Sequence, residues 1–158
     1  MRILWVTVFI FILDQLTKRA VQSSLSLHQS KPIIQDFFHL TYVTNDGMAF
    51  GLSMPGGRTI LLILSIMLTI FICWFLWQER EGHNLVRLGL ALILAGAFGN
   101  LLDRILYGKV VDFLDFMIGD FHWYIFNIAD SSVTIGMMVF IFHSFFIETR
   151  KVPAESET

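Results

Sequence analysis

The chain holds a single cysteine, Cys73, among 158 residues. That excludes an intrachain disulfide and any multi-cysteine metal site, and leaves Cys73 as a small packing residue inside an apolar run. Charge is scarce as well: Asp, Glu, Lys and Arg make up 15% of the residues, and the 11 basic ones never cluster. With a net charge of −2 there is no basic face, so nucleic acid is not an expected partner. The five histidines, His28, His39, His83, His122 and His143, are scattered and give no His-Glu-x-x-His zinc site. A Gly-x-Ser-Gly-like nucleophile site is absent. So is Gly-x-Gly-Asp, because Met117 stands where the first glycine before Gly119-Asp120 would be. Neither a metal nor a cofactor is expected, and no internal repeat or low-complexity tract is visible.

What remains is hydrophobic. Apolar residues make up 55% of the chain and the mean hydropathy is positive, too greasy for a soluble domain of this size. The expectation is one integral membrane domain, 1–158, mainly α. Its clearest span is 59–77, a charge-free run matching the roughly 20 residues needed to cross about 30 Å of hydrocarbon. Weaker runs at about 3–21, 86–102 and 129–147 bring the expected count to four transmembrane helices. The first resembles a signal peptide at Arg2, but Asp14 and Lys18-Arg19 follow where a small-residue cleavage site belongs, so it reads as a retained helix. Lys and Arg divide almost evenly between the two sides, so charge alone does not orient the chain.

Two connections are long enough for structure of their own, 22–58 and 103–128, whereas 78–84 is a short polar turn and 148–158 a polar tail. The stretch 37–44 is rich in β-branched and aromatic residues and runs into an Asn45-Asp46-Gly47 turn. In the later connection, 109–116 and 121–126 flank Gly119-Asp120 and predict a hairpin. Isolated hairpins are marginal, so this one should pair with the first-loop strand or lie against the bilayer interface. Antiparallel helices put both loops on one membrane face, giving a small β element there.

Few polar residues interrupt the apolar runs. Asp14 and Lys18, four apart, form an ion pair on one helical face. Asp103-Arg104 reads either as a helix-ending pair at the interface or as part of a site. Asp130, in Asp130-Ser131-Ser132, has the look of a helix cap stabilised by unpaired amides. Asp112 has no such explanation, since it interrupts an apolar strand pattern; carboxylates in such positions usually mark a pathway or a reacting site. The predicted hairpin folds 109–126 back on itself and brings Asp112 and Asp130 near one another. Two carboxylates about 3 Å apart cannot both ionise, so one stays protonated while the other acts as base.

Five ordered motifs then carry a resemblance: Asp14-Gln15-Leu16-Thr17-Lys18, Asn45-Asp46-Gly47-Met48-Ala49-Phe50, Gly99-Asn100-Leu101-Leu102-Asp103-Arg104, Val110-Val111-Asp112-Phe113 and Phe126-Asn127-Ile128-Ala129-Asp130. Together they resemble lipoprotein signal peptidase (signal peptidase II), a family of bacterial membrane-embedded aspartyl proteases. The resemblance implies Asp112 and Asp130 as the catalytic pair. It implies Asn45, Gly47, Asn100, Arg104 and Asn127 around the substrate, and Asp14, Lys18 and Asp103 as support. Met48 stands where the family usually has Ala, a departure that bears on the local shape of the pocket. The implied substrate is a prolipoprotein whose cysteine carries a diacylglyceryl group, cut on the amino side of that cysteine. The implied setting is a monomer among the lipids of the bacterial plasma membrane, multi-pass, with both termini cytoplasmic and the site at the outer surface. A small proton- or ion-coupled transporter competes with this reading, since intramembrane carboxylates also suit ion relays. Transport sites usually lie at the midplane between broken or repeated helices, however, and the polar groups here gather at helix ends.

Overall fold

The charge-free run around residues 59–77 has no way to satisfy its backbone in hydrocarbon except by coiling, and it forms a helix in which Arg58 and Gln78 flank the run. In the computed structural model, which describes residues 2–46, 56–119 and 121–148, this helix is one of four. They are α1 (Leu4–Ser24), α2 (Gly57–Gln78), α3 (Asn84–Tyr107) and α4 (Ile128–His143), with a short 3₁₀ turn at Glu79–Glu81 and a π-helical turn at Ser144–Glu148. Three segments, Gly57–Glu81, Asn84–Tyr107 and Ile128–Ile147, are long and apolar enough to cross a membrane. The expected fourth, α1, is long enough but carries Asp14, Lys18 and Arg19 and is not among them.

Outward faces carry many large apolar residues: Trp5, Phe9 and Leu16 on α1, Ile63, Met67, Ile70 and Trp74 on α2, and Met138, Ile141 and Phe142 on α4 are all exposed. A soluble monomer rarely exposes so continuous an apolar surface, whereas lipid accepts it. The inward faces use small residues instead. A Cβ on Gly89 would lie 2.8 Å from the Gly136 carbonyl oxygen, and one on Gly136 would lie 2.6 Å from the Gly89 carbonyl oxygen. This is backbone-to-backbone packing of α3 on α4, the usual way apolar helices associate in lipid. Hydroxyls lock the same bundle, with Thr7 Oγ1 donating to the Ala91 carbonyl at 2.9 Å and Ser132 Oγ to that of Leu92 at 2.8 Å.

The two long connections meet in one antiparallel sheet of order β1-β2-β3-β4. Its strands are β1 (Ser30–Ile34), β2 (Phe38–Asn45), β3 (Val110–Ile118) and β4 (Phe121–His122). The predicted hairpin is β3–β4, extended by a bridge between Leu114 and Phe126, and it does pair with the first-loop strand through β2–β3. Strand β1 is additional; Pro32 and its exposed neighbours suit an edge. An irregularity in β2 between Leu40 and Val43 brings Val43 opposite Asp112. Val21 of α1 and Leu25, which caps its end, pack with Phe113 of β3, so the sheet is fixed to the helix end.

Helix bounds differ from the apolar runs at one place that matters. The third connection, expected from residue 103, begins only at Gly108, which ends α3 with φ 69°. Asp103 and Arg104 are therefore helical, and Asp103 is buried because Lys18 of α1 reaches it. The turn at Gly47 and the residue Met48 lie outside the described residues, as does the tail beyond residue 148.

Candidate active site

Helix α4 starts at the end of the hairpin with a reciprocal cap, and here the expectation for Asp130 needs correcting. Asn127 is the cap residue: its side-chain oxygen accepts from the Asp130 amide at 2.9 Å, and Asp130 Oδ2 accepts from the Asn127 amide at 3.3 Å. Asp130 thus sits one turn inside, with one oxygen in the capping box and the other left for the site. Asp112 approaches from β3 and is only 2% exposed.

Two asparagines join the aspartates. Asn127, wholly buried, donates to Asp112 Oδ1 at 2.6 Å, to Asn100 Oδ1 at 3.2 Å and to the Val111 carbonyl at 3.2 Å. Asn100 in turn donates to Asp130 Oδ1 at 2.7 Å. The path Asp112, Asn127, Asn100, Asp130 is therefore continuous, and the side-chain oxygen and nitrogen of Asn127 are engaged within the protein. Asn127 and Asn100 thus each hold one of the two carboxylates.

Beneath them lies an ion cluster. Lys18 Nζ, 2% exposed, meets Asp14 Oδ2 and Asp103 Oδ2 at 2.9 Å each, and donates to Asn100 Oδ1 at 3.1 Å. Asp14 Oδ1 accepts the Ala129 amide at 2.9 Å, and Asp103 Oδ2 accepts the Val111 amide at 3.1 Å. Each supporting carboxylate thus grips the backbone of the residue immediately before one of the two candidate aspartates. Gln15, quoted in a motif but given no role from sequence, ties the supports together: its Nε2 lies 3.1 Å from both Asp14 Oδ2 and Asp103 Oδ1. Only its place beside Asp14 hinted at this.

Burial first, and the charge of Asp130 second, push the Asp112 carboxyl up from 3.8 to about 7, against hydrogen bonds from Asn127 and Asn45 and the charge of Lys18. Asp112 therefore holds its proton far above the usual carboxylate range. Arg104 donates to the Asn100 carbonyl at 3.3 Å and lines a cavity of about 350 Å³ with Asn100, Asp130 and Ser65. Asn45 borders two further cavities, one of about 550 Å³ containing Asp130 and one of about 520 Å³ containing Asp112. At the edge of the latter, Asp46 pairs with Arg58 at 3.0 Å. Gly47, also expected here, falls outside the described residues. Among the described residues no group of three or more His, Cys, Asp or Glu has the geometry to hold a metal ion.

Comparisons with known proteins point the same way as the fold. Residues 6–146 match the family described as signal peptidase (SPase) II. A lipoprotein signal peptidase of Desulforapulum autotrophicum is 45% identical over 156 residues, covering 96% of this chain and 94% of that protein. Another, of Halothermothrix orenii, is 43% identical, covering 87% and 91%. A bacterial membrane enzyme solved in meso at 2.3 Å superposes with a TM-score of 0.84 at 32% identity, covering 99% of this chain and 94% of the other. A second, solved at 1.9 Å, gives 0.84 at 34%, covering 92% and 94%. With the family match running over residues 6–146, nearly the whole chain, the protein belongs to the signal peptidase II family.

Proposed function

We propose that this protein is the aspartyl endopeptidase that removes signal peptides from lipoprotein precursors, cutting on the amino side of a diacylglyceryl-modified cysteine, with Asp112 and Asp130 as its catalytic pair. The observation that carries the reading is the continuous bridge from Asp112 through Asn127 and Asn100 to Asp130. It holds two carboxyls together at the junction of sheet and helix ends, and membership of a peptidase family supports a hydrolytic use for them. The ion-coupled transporter has no such support.

Asp130, at the positive end of α4, takes a proton from water, and the resulting hydroxide attacks the scissile carbonyl carbon. Asp112 gives its proton to the carbonyl oxygen as the tetrahedral diol forms. Asp130 then passes its proton to the departing amine nitrogen, the C–N bond breaks, and Asp112 recovers a proton from the diol, restoring the starting state. Substrate contact falls to Asn45 and Arg104, which border the cavities, and to Gly47 of the same motif as Asn45. Asn100 and Asn127 orient the carboxyls, and Asp14, Lys18 and Asp103 hold the backbone behind them.

The membrane setting follows the same argument. α1 is the fourth span: its 21 residues reach about 31 Å at 1.5 Å per residue, and its ions close inward on Asp103 rather than meeting lipid. Four antiparallel spans in one integral domain leave both termini on one side, here the cytoplasm, with the site at the outer surface of the bacterial plasma membrane. A lipidated cysteine holds its peptide bond at that height. The enzyme works as a monomer.

Purified protein in micelles is expected to cleave a synthetic diacylglyceryl-cysteine peptide. Asp112→Asn and Asp130→Asn should each abolish that turnover while leaving the helical circular dichroism intact; full activity in either variant, or binding without product in the native protein, would end the proposal.

A further inference from the structure

Tyr124 was assigned no catalytic part by any sequence motif. It follows Trp123 on the return leg of the hairpin, and a large share of its surface is open. Its phenol oxygen accepts a hydrogen bond from Asn45 Nδ2. Asn45 is one of the groups that hydrogen-bond Asp112. Tyr124 and Asn45 also form part of the wall of two cavities, the larger reaching Asp130 and the other reaching Asp112. Their contact joins the end of β2 to the hairpin return, between the two carboxyls' approaches.

We propose that Tyr124 is a positioning residue of the catalytic pair: through its hydroxyl it holds the Asn45 amide against Asp112. The proposal rests on the dyad reading given above. Asn45 is the last residue of β2, and a hydrogen-bond network that includes the Tyr124 hydroxyl holds its amide on the carboxyl more firmly than one contact would. The electrostatics agree that the phenol faces the pair, since burial first and the charge of Asp112 second push the Tyr124 hydroxyl above its usual value. Because the bond from Asn45 favours the ionised form of Asp112, loosening it raises the Asp112 titration and at the same time lets the carboxyl wander.

Tyr124→Phe removes only the hydroxyl from a largely exposed ring, so folding is expected to be unchanged. With the diacylglyceryl-cysteine peptide in micelles, the plateau kcat should fall roughly fivefold, the equivalent of one net hydrogen bond of about 1 kcal/mol. The alkaline limb of the pH profile should move to higher pH, with KM little changed. Asn45→Ala should move the limb in the same direction and further, and adding Tyr124→Phe to it should change nothing more. A Tyr124→Phe profile superimposable on the native one, or a further shift in the Asn45→Ala background, would overturn the proposal. Asp112→Asn run alongside separates the failures: if it is inactive while Tyr124→Phe is normal, only the role of Tyr124 falls; if it is active, the dyad itself falls.

Discussion

Replacing Asp112 by Asn should destroy turnover and yet stabilise the protein, by an amount that depends on pH. In the folded protein the Asp112 carboxyl holds its proton up to about 7, in the unfolded chain only up to 3.8. Between those values the folded state binds more protons than the unfolded one, so stability falls as pH rises through the window and stays low above it. A displacement of that size corresponds to roughly 4 kcal/mol. The amide has no charge to desolvate, fits the same space, and can still accept from Asn127 through its oxygen. Native protein and Asp112→Asn should therefore have similar stability near pH 4, while at pH 8 the variant should be more stable by about 2–4 kcal/mol, allowing for imperfect mimicry by the amide. For a chain of this length that is a rise in Tm of roughly 5–15 °C. Thermal unfolding in micelles, followed by tryptophan fluorescence at several pH values, reads it directly. A variant less stable at pH 8, or a gap that does not change with pH, would refute the reasoning that Asp112 carries an unfavourably buried charge.

Two further outcomes follow from the same geometry. The profile of kcat/KM should have its alkaline limb near pH 7, because Asp112 must hold a proton to donate and loses it there; a rate flat from pH 6 to 9 would contradict the acid role. Lys18→Met should destabilise the fold by about 3–5 kcal/mol, measured by the same unfolding experiment, since Asp14 and Asp103 would be left buried without their cation.

Much of this architecture can be read from the sequence, and the misses have local causes. The apolar runs, the hairpin after α3 and its pairing with the first loop follow from composition and turn chemistry, which are properties of neighbours in the chain. Strand β1 does not, because a five-residue exposed stretch interrupted by Pro32 looks like loop until an edge partner is present. Asp103 and Arg104 look like helix terminators, and it takes Lys18 and Gln15 of a different helix, with the Val111 amide, to make a buried helical Asp103 tolerable. The same limit applies at the site. A capping aspartate and a capping asparagine look alike in Asn127-Ile128-Ala129-Asp130 until the strand arrives: Val111 and Asp112 then draw the Asn127 amide inward and settle which residue is the cap. Gln15 is legible only as a neighbour of Asp14, and Tyr124 only as one residue of the predicted hairpin.

The four carboxylates explain one another. Buried ion pairs are weak sources of net stability, since desolvation offsets their attraction. The cluster of Lys18 with Asp14 and Asp103 is thus better understood by where its oxygens point than by its energy. Those oxygens receive the amides of Ala129 and Val111, and so fix the backbone immediately before Asp130 and Asp112. Lys18 also reaches Asn100, the amide that orients Asp130. One cation therefore secures two backbone positions and one side chain, all within a residue or a hydrogen bond of the proposed catalytic pair. It leaves Asp112 itself without a direct cationic partner among the described ion pairs. Were Lys18 paired directly with Asp112, the carboxyl would ionise readily and lose its proton well below neutral pH. Keeping the cation one layer back orients the pair while leaving the proton in place.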